Sequence, residues 1–480
     1  MLENLTSKKQ LKTALDEEEN MVVVDFFDQC GHCKKMNTIL DEYSQEYEDK
    51  HIKFFKVDID QDGELATDYL ITSIPTTLFF KDGMMVKKVV ALNLRKKKIV
   101  DFSISSFFLI HILSSQSQHT MSEIELGITA DMHVHLRDES MSELITPTVR
   151  QGGIAICYVM PNLVPPITTK QQVVEYKKKL EKLSPTTTFL MSFYLSKDLT
   201  PELVEECAKE GLIHGIKCYP AGVTTNSKFG VDPNDFTSFY PLFETMAKNK
   251  LILNIHGEKP STEQENDINV INAEPRFLPA LKKLHQDFPQ LKIVLEHCTT
   301  HDAIALVREI NSGYKPGDEI YVGATITAHH LYLIIDDWAG NPINFCKPVA
   351  KFQKDRASLV EAATSGEPWF FFGSDSAPHP IDTKKRHVGV CAGVFSQSHV
   401  ISYVAEVFDK ANQLSNLKKF VSENGIKFYG LKDDILNKHK GESVWLVKRE
   451  NKIPEVIANV DVTVVPFKAG ETLNYCVEWR

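Results

Sequence analysis

Between residues 126 and 374 the chain alternates apolar runs with helical stretches, and that rhythm restricts its fold more than any other feature. The apolar runs read as strands at 126–133, 154–160, 188–195, 215–219, 251–256, 292–297, 323–328 and 369–374. Helix-like stretches lie between them, such as 170–183, 201–210, 241–248, 276–287 and 303–311. Eight strands separated by helices predict an α/β fold of the TIM-type (β/α)8 barrel, whose functional residues collect at the C-terminal strand ends. A doubly wound open sheet is the alternative, but it gives no reason for ligand-type residues at the end of nearly every strand.

The polar residues fall where such a barrel would use them. His133 and His135 close the first strand, and side chains two residues apart share one face of a strand. Lys217 lies in strand four, His256 ends strand five, His297 ends strand six and Asp375 follows strand eight. About forty residues separate Lys217, His256 and His297, one strand-and-helix unit each. Any one of these residues has an ordinary structural reading. Together, His133, His135, Lys217, His256, His297 and Asp375 make a converging set that suits two zinc ions. An ammonium cannot ligate a cation, so Lys217 joins the set only as an N6-carboxylated lysine, a carbamate able to bridge two metals. A metal pair makes water nucleophilic at neutral pH, and Asp375 is the expected catalytic proton carrier.

Composition narrows the partners. The 480 residues are 42% hydrophobic and 25% charged with a net charge of -10, an ordinary globular balance whose mild acidity argues against nucleic acid. Nine cysteines without a secretory signal do not read as a disulfide framework. No apolar run reaches the roughly 18 residues needed to span a membrane, the longest candidate being 104–113, so a cytoplasmic protein is expected.

The first ninety residues carry a different pattern. An apolar strand at 21–27 leads into Cys30-Gly-His-Cys33, a helical stretch over 34–48, a strand at 52–57, Pro75 before another strand, and a turn at Lys81-Asp82-Gly83. A cysteine at a helix N-terminus has a lowered thiol pKa, with Cys33 placed to resolve its disulfides. This region resembles the thioredoxin family, in its disulfide-isomerase version, with Pro75 at the position of the family's cis-proline. Three departures weigh against efficient redox chemistry by Cys30 and Cys33. Gln29 stands where tryptophan is usual, the gap from Asp25 to Cys30 is one residue short, and no amphipathic helix follows Val90. The polar stretch 114–120 reads as linker, and Met121 looks like a fresh start. The expected domains are therefore 1–93, thioredoxin-like; 94–120, linker; and 121–480, the barrel.

From Met121 onward the chain resembles the dihydroorotases of the compact bacterial and yeast type, within the amidohydrolase superfamily. The resemblance rests on Asp131-Met-His-Val-His-Leu-Arg137, Met160-Pro-Asn162, Lys217-Cys-Tyr-Pro-Ala221, Thr224-Thr-Asn226, His256-Gly-Glu258, Glu296-His297, Thr327-Ala-His-His330, Phe345-Cys-Lys-Pro348, Gly373-Ser-Asp-Ser-Ala-Pro-His379 and Cys391-Ala-Gly393. It implies the reversible cyclisation of N-carbamoyl-L-aspartate to L-dihydroorotate in pyrimidine synthesis, a small-molecule substrate, and leaves a homodimer open. Arg137, Asn162 and His379 match the family's clamp on the substrate carboxylate, and a guanidinium fork suits that anion. Thr224 and Thr225 match a loop that closes on substrate. His135, His256, Lys347 and Ala392 are further implied substrate contacts. His329 and His330, ending strand seven, are not family ligands and read as structural. Two alternatives remain: another cyclic-amide hydrolase such as a hydantoinase, which would need a β-sandwich half that has no room before His133, or a redox or interaction protein with the barrel as passenger.

Overall fold

The computed structural model describes residues 123–480 apart from 222–229, 234, 387 and 388, and before them 3–5, 7–16, 21–27, 40–41, 44, 52–60, 65–66, 69, 71, 76–81 and 84–90. The chain divides into two compact units, Met1–Thr120 and Met121–Arg480.

In the first unit the elements are β1 (Glu3–Asn4), α1 (Lys8–Asp16), β2 (Met21–Phe27), β3 (Ile52–Asp58), β4 (Thr76–Lys81) and β5 (Met84–Val90). They form one sheet in the order β1-β3-β2-β4-β5. β1, β3 and β2 run parallel, and β4 and β5 are antiparallel additions. Alternate residues of β2 (Val22, Val24 and Phe26) share one face and pack with Val57, Leu78 and Phe80 in one apolar cluster, and Val23 on the other face is buried too. Asp25 is fully buried beside them, accepts a hydrogen bond from Thr77 Oγ1 (2.7 Å), and burial pushes its pKa up to about 7. Cys30, Cys33, Gln29, Pro75, the turn at Asp82-Gly83, most of the helix expected over 34–48 and the linker 94–120 lie outside the described residues.

The second unit is a barrel. Its strands are β7 (Ala130–Val134), β8 (Ile156–Val159), β9 (Thr188–Leu190), β10 (Ser192–Tyr194), β11 (Gly215–Cys218), β12 (Ile252–His256), β13 (Lys292–Glu296), β14 (Val322–Ile326) and β15 (Phe370–Phe372). All pairings among them are parallel. Helices α2 (Glu139–Gln151), α3 (Lys170–Leu183), α4 (Pro201–Lys209), α5 (Tyr240–Lys248), α6 (Ala273–Asp287), α7 (His301–Ile310) and α8 (Gln353–Thr364) alternate with the strands. Three of these helix starts are fixed by threonine caps. Thr169 caps α3 through a reciprocal bond with Gln172, and Thr200 and Thr300 cap α4 and α7.

Two expected strands differ in form. The run 126–133 is not one strand. It breaks after Gly127 (φ 72°) into β6 (Glu123–Gly127) and β7, which belong to different sheets. Thr129 makes the corner, its hydroxyl donating to Gly153 O and its carbonyl accepting from Ile156 N (3.1 Å). The run 188–195 is interrupted at Met191, so that β9 pairs with β8 while β10 pairs with β11. The sequence also did not reveal a small antiparallel sheet in which β16 (Val444–Lys452) lies between β6 and β19 (Thr472–Trp479); between β16 and β19 in the chain lies the hairpin β17 (Ile457–Ala458) and β18 (Thr463–Val464). The stretch before the barrel is too short for a sandwich, yet it supplies one strand of a sheet completed by the C-terminus.

The barrel interior is packed with side chains. Met132, Ile156, Tyr158, Leu190, Ile252, Val294 and Phe371 form a cluster with Phe428 and Tyr429, which plug the end opposite the functional residues. Phe371 is fully buried, its ring 5.2 Å from that of Phe428. Phe371→Ala should destabilise this unit by about 3–5 kcal/mol through lost contacts and the cavity left behind. All four tryptophans (Trp338, Trp369, Trp445 and Trp479) lie in the unit, so urea unfolding followed by tryptophan fluorescence reads it selectively.

Candidate metal centre

The C-terminal strand ends converge as a barrel requires. His133 is the fourth residue of β7, and its Nε2 lies 3.3 Å from Asp375 Oδ1. His135 follows the strand, and its Nε2 lies 3.0 Å from the same oxygen. The rings of His133 and His297 are 5.1 Å apart, and those of His256 and His297 4.6 Å apart. Lys217, on β11, is fully buried. His297 and Asp375 both adopt φ 42°, a left-handed conformation uncommon outside glycine. Such strain is kept where the surrounding structure fixes the residue for a purpose.

Neighbours set the ring orientations. His133 Nδ1 lies 2.7 Å from Glu296 Oε2, so it carries the proton and turns the Nε2 lone pair toward Asp375. Glu296 is itself held by Asn254 (2.6 Å) and Thr325 (2.5 Å), and Asn254 also meets the Tyr429 hydroxyl (2.6 Å). Asn162 Oδ1 accepts from His135 Nδ1 (2.8 Å), with the same consequence for His135. His256 Nε2 pairs with Glu258 (2.7 Å).

Burial favours the neutral, ligand-competent form at three of the four histidines. Burial lowers the pKa of His135 to about 4, takes His256 down and puts His297 well below the ordinary value, so these imidazoles are neutral. For His133 burial is outweighed by Glu296 and Asp375, which raise its pKa. Asp375 is buried too, but the imidazoles of His133 and His135 beside it hold its carboxyl well below the usual range. Burial lowers Lys217 to about 8.

The donor set fits a metal. His133 Nε2, Lys217 Nζ and His297 Nδ1 are buried side-chain atoms without a hydrogen-bond partner, and buried polar atoms are seldom left so. One ligand atom each from His133, His135 and Asp375 lies within 4.8 Å of the others. A cavity above them is lined by His133, His135, Arg137, Asn162, His256, His297, Lys347, Asp375 and Ala392. It also takes in Tyr219, Ala377 and Gly393, which were not singled out in the sequence although all three stand in or beside the motifs quoted. Arg137 donates from Nε to Pro378 O (3.0 Å), and its fork reaches to 3.1 Å from His379 Nε2. His379, pushed down to about 2 by burial and the guanidinium, lies 2.9 Å from Ala392 O. Thr224 and Thr225 lie outside the described residues.

His329 and His330 do not end a strand. β14 stops at Ile326, and they sit in the short turn of helix His329–Leu331. With Cys346 they form a second buried group of metal-ligand types, but His330 Nε2 (3.0 Å) and Cys346 Sγ (3.2 Å) both meet Pro348 O, and His330 Nδ1 meets Thr327 Oγ1 (2.9 Å). Those bonds anchor the loop carrying Lys347. Glu296 and Glu258 stand in the motifs the sequence offered, but their orienting roles needed the fold.

A parallel barrel with histidines, a lysine and an aspartate gathered at one mouth defines an amidohydrolase, and the amidohydrolase family model matches residues 183–314. The thioredoxin family model matches residues 3–104. The dihydroorotase of Saccharomyces cerevisiae is 58% identical over 363 residues, covering 75% of this chain and 99% of that protein. A crystal structure of that yeast's dihydroorotase in complex with 5-fluoroorotic acid superposes with a TM-score of 0.73, over 75% of this chain and 99% of that one. The L-hydantoinase of Arthrobacter aurescens shares the fold, with a TM-score of 0.61 over 84% of this chain and 90% of that one, at 16% identity. The chain belongs to the dihydroorotase family and carries a thioredoxin domain at its N-terminus. It is a family of metal-using enzymes, and no helix among the described residues is long and apolar enough to cross a membrane.

Glu296→Gln should weaken metal binding roughly 10–100-fold, the usual loss when a group orienting a ligand histidine is removed. Competition with a chromophoric chelator measures it, and unchanged affinity would mean that His133 is oriented by other contacts.

Proposed function

We propose that the large unit is a zinc-dependent dihydroorotase that interconverts N-carbamoyl-L-aspartate and L-dihydroorotate in de novo pyrimidine (UMP) synthesis. The observation that carries this reading is the convergence of orphaned donors from His133, Lys217 and His297 beside Asp375. In the proposal His133, His135, Lys217, His256, His297 and Asp375 hold two Zn2+, with Lys217 bridging them as its N6-carboxylated form. Carboxylation needs a neutral amine, and the lowered pKa of Lys217 favours one. Bound zinc would supply a water acidic enough to act at neutral pH.

The protein's own groups do the rest. Arg137, Asn162 and His379 clamp the substrate carboxylate, where a guanidinium fork can make paired bonds. Lys347 and Ala392 complete the wall, and Thr224 and Thr225 close over the substrate and exclude water. Asp375 takes a proton from the attacking water and delivers it to the amide nitrogen as the ring carbon–nitrogen bond breaks. Cyclisation runs the same path in reverse. On this reading the enzyme acts on a small molecule, needs neither nucleic acid nor membrane, works in the cytoplasm and is compatible with a homodimer. The domains are 1–93, 94–120 and 121–480. The first is an appended thioredoxin-like domain in which Cys30 and Cys33 are a redox pair of low efficiency.

The purified full chain should hydrolyse dihydroorotate, lose activity to a chelator and regain it with zinc. Lys217→Ala should be inactive, with partial rescue by short carboxylic acids. Wild-type chain inert with zinc and bicarbonate present would refute the reading. Asp375→Asn keeps the shape of the side chain but not its basicity. It should cost about 10²–10⁴-fold in both directions, the range for a lost general acid–base. Because the Asp375 carboxyl is held well below the usual range, it stays ionised through the neutral range, so hydrolysis, which needs the ionised form, should fall off only in acid, while cyclisation, which needs the acid, should strengthen as pH falls. Initial rates in each direction across pH decide this; wild-type rates in the metal-loaded Asn variant would remove Asp375 from proton transfer.

A further inference from the structure

Two loops wall the cavity on one side, one carrying Lys347 and the other Ala392 and Gly393. A single buried ammonium joins them. Lys384 ends the short helix α9 (Ile381–Lys384) and is 4% exposed. Its Nζ donates to Phe345 O (2.8 Å), Gly393 O (2.8 Å) and Cys391 O (3.1 Å). These account for all three of its protons. No carboxylate pairs with it among the described residues, and burial lowers its pKa to about 8. A buried cation is unfavourable unless its bonds are well made, so a lysine kept here by carbonyls alone points to a demand made by the loops.

Both loops are built to meet at this point. Gly393 has φ 151°, and a Cβ there would lie 2.1 Å from Ala377 O. Only glycine allows that approach. Its N–H donates to Phe345 O (2.9 Å), so one carbonyl receives both Gly393 N–H and the Lys384 ammonium. On the far flank, Pro348 O is held by His330 and Cys346. Lys347 therefore stands between two fixed carbonyls, those of Phe345 and Pro348.

We propose that Lys384 is a positioning residue for substrate binding, a clasp that joins segments 345–348 and 391–393 and so sets where Lys347 and Ala392 face the substrate. The role of the clasp in catalysis rests on the dihydroorotase reading; its role in joining the loops does not. Lys384 is not among the cavity-lining residues and contacts none of the residues assigned to the metals, so its loss should weaken substrate binding and leave the chemical step in place.

Lys384→Met fills similar volume without the charge, and Lys384→Arg keeps the charge. In the Met variant KM for dihydroorotate should rise roughly 10–100-fold with kcat within about 3-fold and with wild-type zinc content. The Arg variant should recover part of the loss. Without substrate, hydrogen exchange should quicken in the Met variant at residues 344–348 and 389–394 and not elsewhere in the barrel. Unchanged exchange at these segments would overturn the clasp. Faster exchange with unchanged KM would overturn its role in substrate binding, as would loss of zinc together with kcat. If wild type fails to turn over dihydroorotate, the functional reading falls, and the exchange comparison still decides whether Lys384 joins the loops.

Discussion

Closure of the barrel between its first and last strands is the constraint on which the site depends. Asp375 N donates to His133 O (2.8 Å) and His135 N to Ser376 O (3.1 Å), the bonds that join the end of β7 to the end of β15. Ser374 N donates to the buried carboxylate of Asp131 (2.7 Å), which also accepts from His133 N (3.1 Å). The same few bonds that complete the sheet bring His133, His135 and Asp375 together from positions about 240 residues apart. Fold and site are therefore one problem here. A barrel that failed to close would separate these three side chains, because they stand on its first and last strands.

Around that seam the protein buries charge. Glu296 and Lys217 are fully buried, and Asp375 is nearly so. Charges in such surroundings must be paired or bonded. Glu296 meets His133, Asn254 and Thr325, and Asp375 meets two histidines. The Lys217 ammonium has no such bond, and His133 Nε2 and His297 Nδ1 are likewise without hydrogen-bond partners among the described residues. Farther out, the ammonium of Lys384 is satisfied by three carbonyls of the loops beside the cavity. The two buried lysines thus differ in bonding: the Lys217 ammonium has no hydrogen-bond partner among the described residues and that of Lys384 has three.

The alternation of strand and helix, the barrel it makes, the residues His133 to Asp375 at the strand ends and the thioredoxin character of the first residues were all legible in the chain itself. Their signals are local: hydrophobic period, caps, turn residues and short motifs act within a few residues of one another. The split of 126–133 into two sheets was not legible, because Gly127 and Thr129 make a corner only when Gly153 and the C-terminal strand β16 are there to receive the two halves. Nor were the orienting roles of Glu296, Asn254 and Tyr429, which join three separate parts of the chain, or the meeting of Lys384 with Phe345. Such contacts depend on which distant backbone arrives beside a side chain. Sequence named the donors and the fold that would gather them; tertiary structure alone decided which donors would be bonded to one another and which would be left facing the cavity.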